Sequence, residues 1–122
     1  MVYDGFRSGK ADLSVELTKA LQYTERAMAV PAFVRVEEFL DKARHAGFNV
    51  VEYEDRSKEI MPNLIRLSDL AKAFFKIKIA SKLILMLVPR GLVANSIAGL
   101  LMGITVESKA HRYFRMVFTK QA

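Results

Sequence analysis

Two strand-like segments lie far apart in this chain, Phe48–Glu54 and Tyr113–Thr119, and the residues between them are mostly basic and apolar. In the first segment Phe48, Val50 and Glu52 share one side and Asn49, Val51 and Tyr53 the other. Both faces are partly apolar, so it reads as an internal or packed strand. In the second, Tyr113, Arg115 and Val117 oppose Phe114, Met116 and Phe118. Two strands make a poor sheet unless other elements cover them. The expected architecture is therefore α+β, an incomplete α/β arrangement with helices packed on a small sheet containing two strands. A chain of 122 residues supports one core, so a single domain over 1–122 is expected.

Local signals place the helices. Residues 1–11 read as turn-like and flexible, with Gly5 and Gly9 bracketing Arg7 and Ser8. Asp12 then caps a helix over 13–28, in which Leu13, Leu17, Ala20, Leu21 and Met28 recur at helical spacing. Pro31 opens a second helix over 32–45 with Val36, Phe39, Leu40 and Ala43 as its buried stripe. Its acidic residues come first and Lys42, Arg44 and His45 last, which suits the helix dipole, and Gly47 supplies a left-handed stop. Further on, Pro62 sets off a helical region, Ser68 caps a helix over 69–78, and an apolar run over 79–88 ends at Pro89. Leu92–Glu107 forms another helix, whose small residues, Gly99 and Gly103 among them, suit close packing on a neighbour. The apolar stretches Leu83–Val88 and Leu92–Ile104 fall short of the ~20 residues that cross a bilayer.

Composition narrows the chemistry. There is no cysteine, which excludes disulfides, thiolate metal sites and thiol catalysis and permits an intracellular location. His45 and His111 lack the spacing that would put two ring nitrogens on one metal, and each reads as a surface or helix-end residue. The formal charge of +6 is unevenly spread: 7 Lys+Arg stand against 10 Asp+Glu through Asp55, and 12 against 3 from Arg56 onward. A basic, apolar second half suits an anionic partner, whether nucleic acid, a phospholipid surface or an acidic domain. Nucleic acid ranks last, because no helix-turn-helix, zinc finger or paired-aromatic strand accompanies the charge. Glu52, Glu54 and Asp55 bring three carboxylates to one strand end, where solvated side chains are the expected reading. No phosphate-binding glycine loop, nucleophile elbow or metal motif is present, so no catalytic, cofactor-binding or metal-binding residue is assigned.

The order of these parts carries a resemblance. A helix ending in Ala46-Gly47, the strand Phe48–Glu54, the turn Val88-Pro89-Arg90-Gly91 before a small-residue helix, and the closing strand Phe114–Phe118 together resemble the C-terminal portion of sterol 24-C-methyltransferases and related small-molecule methyltransferases. The resemblance implies the final strands of a Rossmann-like sheet and helices that cover a sterol pocket. It also implies S-adenosylmethionine as the cofactor of a complete enzyme, held by an N-terminal half that nothing in this sequence resembles. The expected function is the lipid or sterol side of such a methyltransferase, inactive alone, working at the endoplasmic reticulum or another membrane periphery. By the same analogy Phe74, Phe75, Leu83, Leu85 and Met86 are candidates for lipid contact.

The residues themselves support a second expectation. Lys72, Lys76, Lys78 and Lys82 punctuate the apolar helical region, and lysine stems lie along apolar surface while their ammonium groups stay wet. These four are candidates for contact with an anionic membrane surface, and the chain would then be a non-catalytic lipid-binding module. Uncovered strand edges would favour self-association, and the resemblance implies a cofactor-binding domain as a further partner.

Overall fold

The structure, a computed structural model, describes residues 1–9, 12–76, 86–87 and 89–121. Its elements run β1 (Val2–Arg7), α1 (Val15–Ala27), α2 (Val36–His45), β2 (Phe48–Asp55), α3 (Ser57–Lys76), α4 (Arg90–Glu107) and β3 (His111–Lys120). Helices packed on a small antiparallel sheet make this an α+β fold. The sheet order is β1-β3-β2, with β3 antiparallel to both neighbours, so β1 and β2 point the same way on either side of it.

Residue alternation along β3 builds the two layers around the sheet. Phe114 and Met116 point to one face and join Phe6 of β1 and Val36 of α2 in a buried cluster, with Val2, Phe39, Leu40 and Phe118 packed around it. The Phe6 ring lies 5.1 Å from Phe39 and 6.2 Å from Phe114, within the range of favourable tilted aromatic pairs. Tyr113 points to the other face and packs on a second cluster, Leu64 of α3 with Met102 and Val106 of α4. The sheet is therefore covered by α2 on one side and by the α3–α4 pair on the other, with α1 against α4.

The turn-like reading of residues 1–11 is corrected by β1, which pairs with β3 from Val2↔Met116 to Arg7↔His111. Glycine normally weakens a strand. Here the Tyr113 ring covers Gly5 so closely that a Cβ would meet its Cζ at 3.2 Å, and the buried Phe6 anchors the strand's end. Both contacts come from sequence-distant partners, which local composition does not reveal.

Helix α1 begins at Val15, not 13, because Ser14 supplies the cap: its Oγ accepts from the Leu17 N–H at 3.2 Å. Helix α2 begins at Val36, well after Pro31. The intervening backbone is used elsewhere: Val34 O accepts from the Arg7 N–H, and the Phe33 N–H donates to Glu25 Oε1. Gly47 takes the left-handed stop as expected, at φ 83. The region from Pro62 forms one continuous helix, Ser57–Lys76, so Ser68 is an interior residue and not a cap. Pro62 is exposed in the second turn and interrupts one helical hydrogen bond.

β2 is an edge strand and is largely exposed, which corrects the reading of an internal strand. Ion pairs hold its acidic end: Glu52 to Arg115, Glu54 to Arg56, and Asp55 to Arg112 at 3.3 Å. His111 likewise departs from the surface reading and is 1% exposed at the start of β3.

Candidate functional site

Helix α4 carries no charged residue between Arg90 and Glu107 and is apolar on all sides. A helix of that kind needs cover all round. One side has it: Ala98, Gly99, Met102, Thr105 and Val106 are buried. Gly99 lets α3 approach, since a Cβ there would lie 2.6 Å from Leu67 Cγ and Cδ2. The opposite side is covered only in part, with Val93 and Leu100 half-buried and Ile97 and Ile104 exposed. Val93, Ile97, Leu100 and Ile104 recur at spacings of four, three and four, which puts them on one face, and Ile104 is 51% exposed.

Helix α3 runs beside this stripe and turns Met61 and Ile65 toward it. Together the two helices border an open groove of about 400 Å³, with Met61, Ile65, Leu100 and Ile104 as its apolar wall. Lys72, Asp69 and Glu107 supply its charged rim, and the Lys72 ammonium lies 3.6 Å from the Asp69 carboxylate. A surface of this composition matches an apolar partner bordered by polar groups.

The residues singled out from sequence distribute unevenly around the groove. Lys72 lines it, and Lys76, one turn further along α3, is exposed. Met86 is 87% exposed. Phe74 and Phe75 lie on the α3 backbone with side chains outside the described residues, and Lys78, Lys82, Leu83 and Leu85 lie outside them altogether. Met61, Ile65, Leu100 and Ile104 were not singled out. For Leu100 and Ile104 the signal lay in the absence of any polar face on α4; Met61 and Ile65 flank Pro62, which marks a helix start in sequence and lies inside α3 in the structure.

A second cleft, about 530 Å³, opens where β2 ends and α3 begins, lined by Asp55, Ser57, Lys58, Glu59, Met61, Val106, Glu107, Lys109 and Arg112. The start of α3 is tied to the sheet here, because Asp55 Oδ1 accepts from the Ser57 N–H at 2.9 Å and Ser57 Oγ accepts from the Tyr113 N–H at 3.0 Å.

No described glycine makes a left-handed turn from a strand into a helix. A nucleoside cradle needs a glycine turn from strand into helix that lets the backbone close on the ligand. The left-handed glycine of this chain, Gly47, instead leads from helix α2 into strand β2. At the end of β2, the Asp55 carboxylate is already engaged by Ser57 and Arg112. Among the described residues no group of three His, Asp or Glu side chains is placed to hold a metal ion, and no helix is long and apolar enough to cross a membrane.

No protein-family model matches this sequence, and no curated protein matches it.

Proposed function

We propose that this chain is the lipid-side portion of an S-adenosylmethionine-dependent methyltransferase, contacting a sterol or another lipid through the α3–α4 groove, with the cofactor held by a separate domain. The observation that carries the lipid contact is the open groove in which half-buried Leu100 and exposed Ile104 of α4 border Met61 and Ile65 of α3, with exposed Ile97 on the same face of α4. Burial of apolar surface contributes about 25 cal/mol per Å² removed from water, so an uncovered stripe favours an apolar partner. The methyltransferase assignment rests on the resemblance of the Phe39–Glu54 and Leu87–Phe118 segments. The sheet is compatible with it. Two parallel strands flanking an antiparallel one suit the end of a larger mixed sheet, and among the described residues the outer edge of β1 is bridged only at Arg7, by Val34 and Arg35.

Calorimetric titration of the chain with S-adenosylmethionine, alone and with a sterol present, tests this reading. The expected result is heat from the sterol and none from the cofactor. Cofactor binding by the chain alone would contradict the division of labour.

A second reading, a non-catalytic module at an anionic membrane surface, is favoured by exposed Met86 and Leu87 near exposed Lys76 in sequence. It requires salt-sensitive binding to anionic vesicles, and equal partition into neutral ones would remove its basis.

A further inference from the structure

The α3–α4 groove continues past Glu107. It adjoins the cleft at the end of β2, and the two share Met61 and Glu107 as walls. The chemistry changes along that path, from the apolar wall of Ile65 and Ile104 to the charged surroundings of Lys58, Lys109 and Arg112.

Half of the charged residues lining the cleft have ion-pair partners. Arg112 holds Asp55, and Arg56 holds Glu59 at 2.9 Å. Among the described residues neither Lys58 nor Lys109 has an ion-pair partner within 4.0 Å, and Glu107 is the one lining carboxylate without one. Two unengaged cations therefore face one unengaged anion. At the far end of the groove, Lys72 is occupied by Asp69.

Lys109 also sits at a backbone position that suits glycine. It follows α4 at φ 61, with its N–H donating to Val106 O and the Ala110 N–H to Thr105 O, a left-handed helix stop. Side chains pay for that conformation and glycine does not. The strain puts an exposed cation at the cleft, where no carboxylate of the described residues pairs with it.

We propose that the groove and cleft together bind a single-chain anionic amphiphile, with its phosphate or carboxylate head between Lys58 and Lys109 and its tail along Met61, Ile65 and Ile104. This rests on the lipid-contact reading above and adds the charge of the head and the direction of the tail. From Met61 to Lys72, α3 advances about 16 Å at 1.5 Å per residue, enough for an extended acyl tail.

The test is calorimetric titration of the chain and its Lys109→Gly variant with dodecyl phosphate, dodecanol and inorganic phosphate, the amphiphiles kept below aggregation. Lys109→Gly removes the cation and keeps the left-handed stop. Dodecyl phosphate is expected to bind one site more tightly than dodecanol, with inorganic phosphate giving no heat. The variant should weaken dodecyl phosphate about fivefold, the upper range for an exposed ion pair, and leave dodecanol unchanged. Equal affinity for the two amphiphiles, or no effect of the variant, overturns the head assignment and leaves the lipid-contact reading standing. Inorganic phosphate binding as tightly as dodecyl phosphate overturns the tail. No heat from either amphiphile contradicts both this inference and the lipid-contact reading.

Discussion

Protonating His111 would place a charge where the fold offers little to receive it. The imidazole Nδ1 lies 3.4 Å from Thr105 Oγ1, Nε2 has no hydrogen-bond partner among the described residues, and the Phe33 ring meets it edge-on at 4.1 Å. Burial pulls its pKa down to about 4, with Arg7 adding to the effect and Glu25 opposing it. The unfolded chain binds this proton near pH 6.5 and the native state only near 4. The stabilisation is therefore complete above pH 6.5 and is lost as the pH falls toward 4, by about 3 kcal/mol in all. Unfolding midpoints measured across that window should fall with pH, and a His111→Leu variant should flatten this part of the slope. The two helix-spaced glycines allow a paired expectation. Gly99→Ala drives a Cβ into Leu67 and should destabilise by about 1–2 kcal/mol, whereas Gly103→Ala meets nothing within 4 Å among the described residues and should stabilise by about 0.5–1 kcal/mol. Close helix packing was legible at Gly99 from its small size and apolar neighbours. The difference from Gly103 was not, because it depends on which residue faces Leu67.

At the scale of elements, the periodic segments were the legible ones. The α2 stripe Val36, Phe39, Leu40 and Ala43 turns inward as its spacing implies, and β3 extends the expected closing strand by a few residues at its start and one at its end. β1 escaped notice because its stability comes from Tyr113 and Phe39, far along the chain. β2 looked internal because Phe48, Val51 and Tyr53 are apolar, yet its outer edge is unpaired among the described residues. Its Glu52, Glu54 and Asp55 are not merely solvated but form a ladder with Arg56, Arg112 and Arg115. Such exposed pairs contribute roughly 0–1 kcal/mol each. They set the register of β2 on β3 more than they stabilise the fold. The groove was half legible: α4 announced its apolar character in sequence, but the partner residues Met61 and Ile65 emerge only once Pro62 is seen to lie inside α3.

For the whole molecule, the charge division of the sequence separates the elements by chain order, although the sheet interleaves strands of both halves. The acidic first half supplies α1, α2 and β2, while the basic second half supplies α3, α4 and β3. The apolar groove belongs wholly to the second half, between two helices whose inner faces form one of the two cores. A lipid seated there would cover α4's outer stripe without disturbing the Phe6, Phe114 and Met116 core on the far side of the sheet. Lipid contact at this groove is best tested by amide hydrogen exchange with and without dodecyl phosphate, on the wild type and an Ile97→Asp/Ile104→Asp variant. Both replaced side chains are exposed, so the variant should keep its fold. Added amphiphile is expected to slow exchange in 61–72 and 93–107 of the wild type and to leave the variant unchanged. Protection confined to β1 or β2, or equal protection of the variant, would contradict the groove as the lipid-contacting surface.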